Sequence, residues 1–182
     1  MNLKKFIRSI PHYPKKGILF RDITTLIKDE KAFSQSIDDI IVKTKKFKID
    51  KIAAIESRGF VFASAVSYIL KKPFILLRKK NKLPAETHSV DFKLEYGDAT
   101  IEVHKDSIEK NDSVLIIDDL IATGGTAEAA AKLIEISEGK VAGFIFVINL
   151  FDLGGDEILK KKGYLSDSLM DFPGHWNNEL TL

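Results

Sequence analysis

Val114-Leu115-Ile116-Ile117-Asp118-Asp119-Leu120-Ile121-Ala122-Thr123-Gly124-Gly125-Thr126 is the stretch on which the reading of this chain turns. A short apolar strand, residues 113–117, runs into two adjacent carboxylates, so both acids emerge at the carboxyl edge of a sheet, where open α/β folds bind ligands. Small residues follow, and then residues 126–137, rich in Ala, Leu and Glu, read as a helix ending near Gly139. Gly124 and Gly125 let backbone N–H groups close around an anion, and Thr123 and Thr126 add hydroxyl donors. The helix amino terminus contributes partial positive charge. Residues 122–126 thus form a phosphate cradle with Asp118 and Asp119 beside it, a pairing suited to a sugar phosphate whose hydroxyls the acids accept. An ordinary strand–turn–helix accounts for Thr-Gly-Gly-Thr alone but not for the whole run. No Gly-Lys-Ser/Thr follows, so the loop is not a nucleoside-triphosphate P-loop.

Working outward, further apolar runs occur at residues 51–55, 73–77 and 141–150, and residues 57–70 have helical spacing. Apolar runs alternating with helices predict an α/β fold, a mostly parallel central sheet covered by helices on both faces. Residues 83–105 break the rhythm: they are more polar, contain Pro84 and Gly97, and alternate only at Thr100-Ile101-Glu102-Val103-His104. They read as a long mobile loop that returns as an edge strand. No repeat or Pro/Gly/Ser-rich linker interrupts the 182 residues, which predicts one domain.

Composition narrows the class. The chain is 45% hydrophobic and 30% charged, an ordinary globular mixture. Its 28 basic and 26 acidic residues leave a formal charge of +2, no basis for nucleic-acid binding. No window reaches the roughly 20 apolar residues that span a bilayer, and the opening lacks the apolar core of a signal peptide. Cysteine is absent, which removes disulfides and thiolate chemistry and predicts a cytoplasmic protein. Lysines at 43, 45, 46 and 48 and at 160–162 read as solvated faces.

The 114–126 run closely resembles the phosphoribosyl-pyrophosphate motif of the type I phosphoribosyltransferases. Within that family, Gly17-Ile18-Leu19-Phe20-Arg21-Asp22-Ile23-Thr24, Glu56-Ser57-Arg58-Gly59-Phe60, Leu77-Arg78-Lys79-Lys80-Asn81-Lys82-Leu83-Pro84 and Leu94-Glu95-Tyr96-Gly97 resemble the adenine-specific branch in order and spacing. The resemblance covers the chain to about Leu153. It implies transfer of phosphoribosyl from phosphoribosyl pyrophosphate to adenine, giving AMP and pyrophosphate, with Mg²⁺ carried mainly by the pyrophosphate, in a homodimer. The implied layout is a hood over about residues 1–35, a lid over about 83–105 and a C-terminal extension over about 165–182.

The same resemblance implies the site. Asp118 and Asp119 engage the ribose hydroxyls and stabilise a cationic transition state. Ala122, Thr123, Gly124, Gly125 and Thr126 hold the 5-phosphate. Ser57 and Arg58 serve pyrophosphate, with a cis peptide at the Ser57–Arg58 bond. Arg78, Lys79 and Lys82 serve it too, Arg78 from across the dimer; by themselves these three also fit a plain basic turn. The backbones of Leu19 and Arg21 read adenine, and Phe20 and Leu150 are either pocket walls or core side chains. Glu95 is the proton carrier at N7 of adenine, and Tyr96 helps shut the lid. Departures from the family pattern are Ala85 for glycine, and His88 and Phe92 in the lid; none falls on an anion-binding position. The tail from Asp171 through Trp176 lies outside the resemblance. A sibling enzyme for another base, or a regulator that senses the sugar pyrophosphate without turnover, shares the phosphate motif. The hood and lid segments favour adenine, and a base-pocket segment that starts by Gly17 favours the enzyme.

Overall fold

Side chains that alternate between two buried layers show which faces of the strands are covered. The computed structural model describes residues 1–94 and 97–175. In chain order it contains β1 (Arg8–Pro11), β2 (Leu19–Asp22), α1 (Thr24–Ile27), α2 (Glu30–Thr44), β3 (Lys51–Ile55), α3 (Gly59–Leu70), β4 (Phe74–Lys79), β5 (Thr87–Leu94) and β6 (Gly97–His104). These are followed by β7 (Ser113–Ile121), α4 (Gly125–Ile136), β8 (Lys140–Leu150), α5 (Gly155–Lys161) and β9 (Ser166–Phe172). The main sheet has seven strands in the order β5-β6-β4-β3-β7-β8-β9, and β1 and β2 form a separate antiparallel pair. Neighbours from β4 through β9 on the β3, β7 and β8 side are parallel, whereas β6 runs antiparallel to β4 and β5.

Val114, Ile116, Phe144 and Phe146 point into one layer, with Ala130, Leu133 and Ile134 of α4. Leu115, Ile117, Ile145 and Val147 point into the other, with Phe62, Ala63 and Val66 of α3 and Ile37 and Ile40 of α2. A parallel sheet with both faces covered is therefore the architecture, as the continuous apolar runs predict. Each such buried Ile, Leu or Phe stabilises the fold by about 1.5–3 kcal/mol before the entropy of ordering is subtracted. Among the described residues no helix is long and apolar enough to cross a membrane.

Three features differ from the expectations. Residues 83–105 hold a regular hairpin in place of a long loop: β5 pairs with β6 from Thr87↔His104 to Leu94↔Gly97, and β6 pairs with β4. Val90, Ile101 and Val103 are buried beneath it, so packing on α4 compensates for the polar residues that obscured the alternation. Next, β7 continues through both acids to Ile121, because its backbone pairs with β8 as far as Ile121↔Asn149. Last, the non-proline cis peptide lies at Glu56–Ser57, one bond earlier than the resemblance implied. Helix α2 carried an unread signal: the Asp29 carboxylate accepts from Ala32 N–H at 2.9 Å, an amino-terminal cap worth about 1 kcal/mol.

The first turn of α3 lies against the end of β7. A Cβ on Gly59 would sit 2.6 Å from Asp118 Oδ1 and 3.0 Å from the Ile117 carbonyl oxygen. Gly59→Ala is therefore expected to destabilise the fold by about 1–3 kcal/mol, the usual cost of overpacking, read as a lower urea midpoint with an unchanged m-value.

Candidate active site

Strand β7 delivers Asp118 and Asp119 to the carboxyl edge of the sheet, between the starts of α3 and α4. Asp119 is 5% exposed, and its Oδ2 lies 2.9 Å from Arg58 Nε. The Arg58 N–H is not aimed along that line, so Oδ2 is a buried acceptor without a directed hydrogen bond. Such an atom favours a ligand that brings a hydroxyl donor. Asp118 Oδ1 accepts from the Asp119 amide at 2.9 Å. Burial, then the neighbouring Asp119 charge, pushes the Asp118 carboxyl well above the usual carboxylate range. Burial also raises Asp119, against the opposing pull of the Arg58 guanidinium.

The loop after β7 turns on Gly124, whose φ of +91° is left-handed and suits only glycine without strain. Helix α4 begins at Gly125, so its first amides have no partner within the helix, and Gly125, Thr126 and Ala127 line the cleft there. Gly155, at the start of α5, closes the loop from behind and donates its N–H to the Ala122 carbonyl at 3.0 Å. A Cβ on Gly124 would meet Gly155 Cα at 3.1 Å. This glycine-to-glycine contact was missed in the sequence, where Gly154-Gly155 looks like a plain turn.

Glu56, Arg58, Asp118, Asp119 and residues 122–126 line a cleft of about 250 Å³. A second cleft of about 500 Å³ adjoins it and shares Arg58, Leu120, Ala122, Thr123, Gly125 and Thr126. Its other walls are Ile18, Leu19, Phe20, Arg21 and Leu150, with Lys93, Leu153, Gly174 and His175, the last four not singled out by the sequence. Phe20 is half-buried, edge-on to Tyr13 at 5.2 Å, and the Arg58 guanidinium lies 5.7 Å from its ring. Leu150 is buried and also lines the cleft, so wall and core are not alternatives there.

The Arg21 side chain turns away from this cleft. It donates to Ser9 Oγ and, at 2.9 Å, to the Pro173 carbonyl, and stacks 4.6 Å over Phe172. What Arg21 offers the cleft is backbone. The bond from His12 N–H to the Ile18 carbonyl, with Ile10↔Phe20 in register, sets the ladder's alternation. By that alternation the Leu19 and Arg21 backbones face away from β1. Leu19 N–H accordingly donates to the Gly174 carbonyl at 3.3 Å.

Other candidates lie further out. Lys79 lines an adjoining cavity of about 360 Å³ with Glu56 and Thr126. The Glu56 carboxylate accepts from Lys79 N–H at 2.9 Å and pairs with Arg78 at 3.3 Å, and the Lys79 bond is the main reason its pKa lies below the usual value. Arg78 also donates to the Lys82 carbonyl, so it is engaged within its own chain. Ser57 is exposed at the β3–α3 turn, and neither it, Arg78 nor Lys82 lines the three cavities. Glu95 and Tyr96, and Trp176 in the tail, lie outside the described residues.

The raised acids make a signed prediction. A carboxyl whose pKa is higher folded than unfolded binds more protons in the folded state, so its contribution to stability falls as pH rises. Asp118→Asn is therefore expected to raise Tm at neutral pH, with the gain shrinking as pH falls toward the ordinary carboxylate pKa. Turnover should drop by about 10²-fold or more if loss of the charge resembles loss of an oxyanion-hole donor; calorimetry and steady-state kinetics on one preparation check both.

Comparison with known proteins agrees with this geometry. Residues 24–171 match the family model of the phosphoribosyl transferase domain. The adenine phosphoribosyltransferase of Pelagibacter ubique is 78% identical over 96% of this chain and 100% of its own length. The crystal structure of the Thermoanaerobacter pseudethanolicus adenine phosphoribosyltransferase superposes with a TM-score of 0.89 at 46% identity, covering 93% of this chain and 98% of that one. The Saccharomyces cerevisiae enzyme, solved with adenine and an imino-altritol bisphosphate, gives 0.85 at 34% identity, covering 92% and 96%. A sheet edge with paired acids, a glycine-built loop and an adjoining apolar cleft, matched along nearly the whole chain, places this protein in the adenine phosphoribosyltransferase family.

Proposed function

We propose that the two joined clefts transfer a phosphoribosyl group from phosphoribosyl pyrophosphate to N9 of adenine, releasing pyrophosphate and forming AMP. The observation that carries this reading is the shared wall: Arg58, Ala122, Thr123, Gly125 and Thr126 border both cavities, so a sugar held there faces a base in the apolar cleft. The bond from C1 of ribose to the pyrophosphate oxygen breaks, and the bond from C1 to N9 forms. Asp118 and Asp119 accept the ribose hydroxyls, and their negative charge stabilises positive charge developing on the ring. Amides at the start of α4 and the hydroxyls of Thr123 and Thr126 hold the 5-phosphate. Arg58 and Lys79, with Ser57, Arg78 and Lys82 from the flanking turns, balance the pyrophosphate.

On the base side, Leu19 C=O and Arg21 N–H lie on the same outward edge of β2, one acceptor beside one donor. That order matches adenine, whose amino group donates beside an unprotonated ring nitrogen. Phe20 and Leu150 cover the two faces of the ring. Glu95 takes the proton from the imidazole edge, and Tyr96 helps shut the lid. Among the described residues no group of three or more acidic, imidazole or thiol side chains could cage a metal. Mg²⁺ would be carried mainly by the pyrophosphate, with Asp118 and Asp119 as the carboxylates available to it in the cleft, and would there supply charge neutralisation for the leaving group. The same reading includes one domain with a hood over about residues 1–35, a lid over about 83–105 and a C-terminal segment over about 165–182, and a cytoplasmic homodimer.

The test is turnover with phosphoribosyl pyrophosphate, Mg²⁺ and a panel of bases. Hypoxanthine offers an acceptor beside a protonated nitrogen, the reverse of adenine, and is expected to lose about 10⁴-fold in kcat/KM, as mismatched hydrogen bonds in a polar-built site do. Comparable efficiency on hypoxanthine overturns the adenine assignment. Glu95→Gln is expected to slow the chemical step by about 10²- to 10⁴-fold, the range of general acid–base catalysis, with affinity for the sugar pyrophosphate unchanged; single-turnover kinetics across pH separates this from a closure defect.

A further inference from the structure

Asp152 lies two residues beyond Leu150, just after β8, and is not itself a wall of the cleft. Its two carboxylate oxygens gather three donors from one turn. Oδ1 accepts from Gly174 N–H at 2.6 Å; Oδ2 accepts from His175 N–H at 3.2 Å and lies 3.0 Å from His175 Nδ1. Burial works against its ionisation, but these bonds outweigh burial and hold its pKa below the ordinary value. The turn it grips is held from the other side as well. Leu19 N–H donates to the Gly174 carbonyl, Arg21 donates to the Pro173 carbonyl, and Ile18 pairs with His175. Leu153 leaves no room for a side chain at Gly174: a Cβ there would lie 2.7 Å from Leu153 Cδ1.

The tail thus lies along the free edge of the hood, joined to it by the Ile18–His175 bridge and the Leu19 N–H bond to Gly174. Strand β2 pairs with β1 on one edge and with the tail on the other, and the tail is tied by Asp152 to the end of β8. Both of its gripped residues, Gly174 and His175, are walls of the apolar cleft together with Leu19 and Leu150. Release of the turn would remove that wall and free the edge of β2 on which Leu19 C=O and Arg21 N–H sit.

We propose that Asp152 is a positioning residue for the base. It clamps Gly174 and His175 as one wall of the base cleft and thereby holds the β2 edge in the place where adenine is read. The proposal rests on the assignment of the apolar cleft to the base and says nothing of the sugar side. It predicts a defect confined to one substrate. Asp152→Asn keeps the size but puts an amide donor against one of the backbone donors, so the clamp fails at one end.

Asp152→Asn is expected to raise KM for adenine by about 10-fold or more, the worth of one or two net hydrogen bonds, while kcat and KM for phosphoribosyl pyrophosphate stay within about 2-fold. His175→Ala removes the ring contact and part of the wall but leaves the two backbone bonds to Asp152, and should give a smaller rise, about 3-fold, in the same constant. Hydrogen exchange should show faster exchange at the Leu19, Gly174 and His175 amides in Asp152→Asn and at no other part of the sheet. An unchanged KM for adenine in Asp152→Asn overturns the clamp. So does a loss spread over kcat and both KM values with a lower Tm, which is the mark of a merely structural carboxylate. If Asp152→Asn does not fold, an unchanged KM for adenine in His175→Ala overturns it. Wild-type protein that turns over no adenine defeats the base-site reading itself, an outcome distinct from an active wild type with an indifferent Asp152→Asn.

Discussion

Two carboxylates stand side by side at the end of a buried strand, and much of the molecule is arranged around their cost. Charge at that depth is disfavoured by lost hydration, and a second like charge adds to the penalty. Arg58 offsets part of it, held 2.9 Å from Asp119 by the first turn of α3. That turn comes so close only because residue 59 is glycine, with no Cβ to strike the Ile117 carbonyl or the Asp118 carboxylate. The fold thus carries a local cost that a neutral pair would avoid, as sites built for function commonly do. Part of that cost is visible at Asp119 Oδ2, a buried acceptor without a directed partner.

The same crowding shapes the anion loop. Residues 122–126 must present amides inward, which leaves their outer side bare, and Gly155 fills that side with backbone alone. The start of α5 therefore packs against the loop after β7. The apolar cleft is assembled differently, from segments far apart in sequence. The hood supplies Leu19 and Phe20, the end of β8 supplies Leu150, and the tail supplies Gly174 and His175. The Arg21 side chain and the Asp152 carboxylate bind those pieces together.

Local signals were legible where chemistry and backbone period coincide. The run from Val114 to Thr126 needs nothing beyond itself: apolar period, acids at the strand end, glycines at the turn and a helix-forming sequence all lie within one window. The hairpin β5–β6 was not legible in that way. Its buried residues Val90, Ile101 and Val103 are few, and their partners in α4 lie more than twenty residues away in sequence, so local polarity suggested a loop. The basic turn also read ambiguously. Arg78 spends its charge on Glu56 and Lys79 reaches a cavity, a division set by strand pleat and not by composition.

From its sequence alone this protein was determined to be an α/β sugar-phosphate enzyme of a recognisable family, because strand ends, glycines and paired acids act through neighbours a few residues apart. Only the tertiary structure decided that Arg21 reaches the cleft with its backbone while its side chain grips the tail, that Leu150 is core and wall together, and that Gly155 underlies the phosphate loop. Those outcomes depend on which distant segments meet in space, and sheet order together with side-chain direction, invisible in one dimension, settles the meeting.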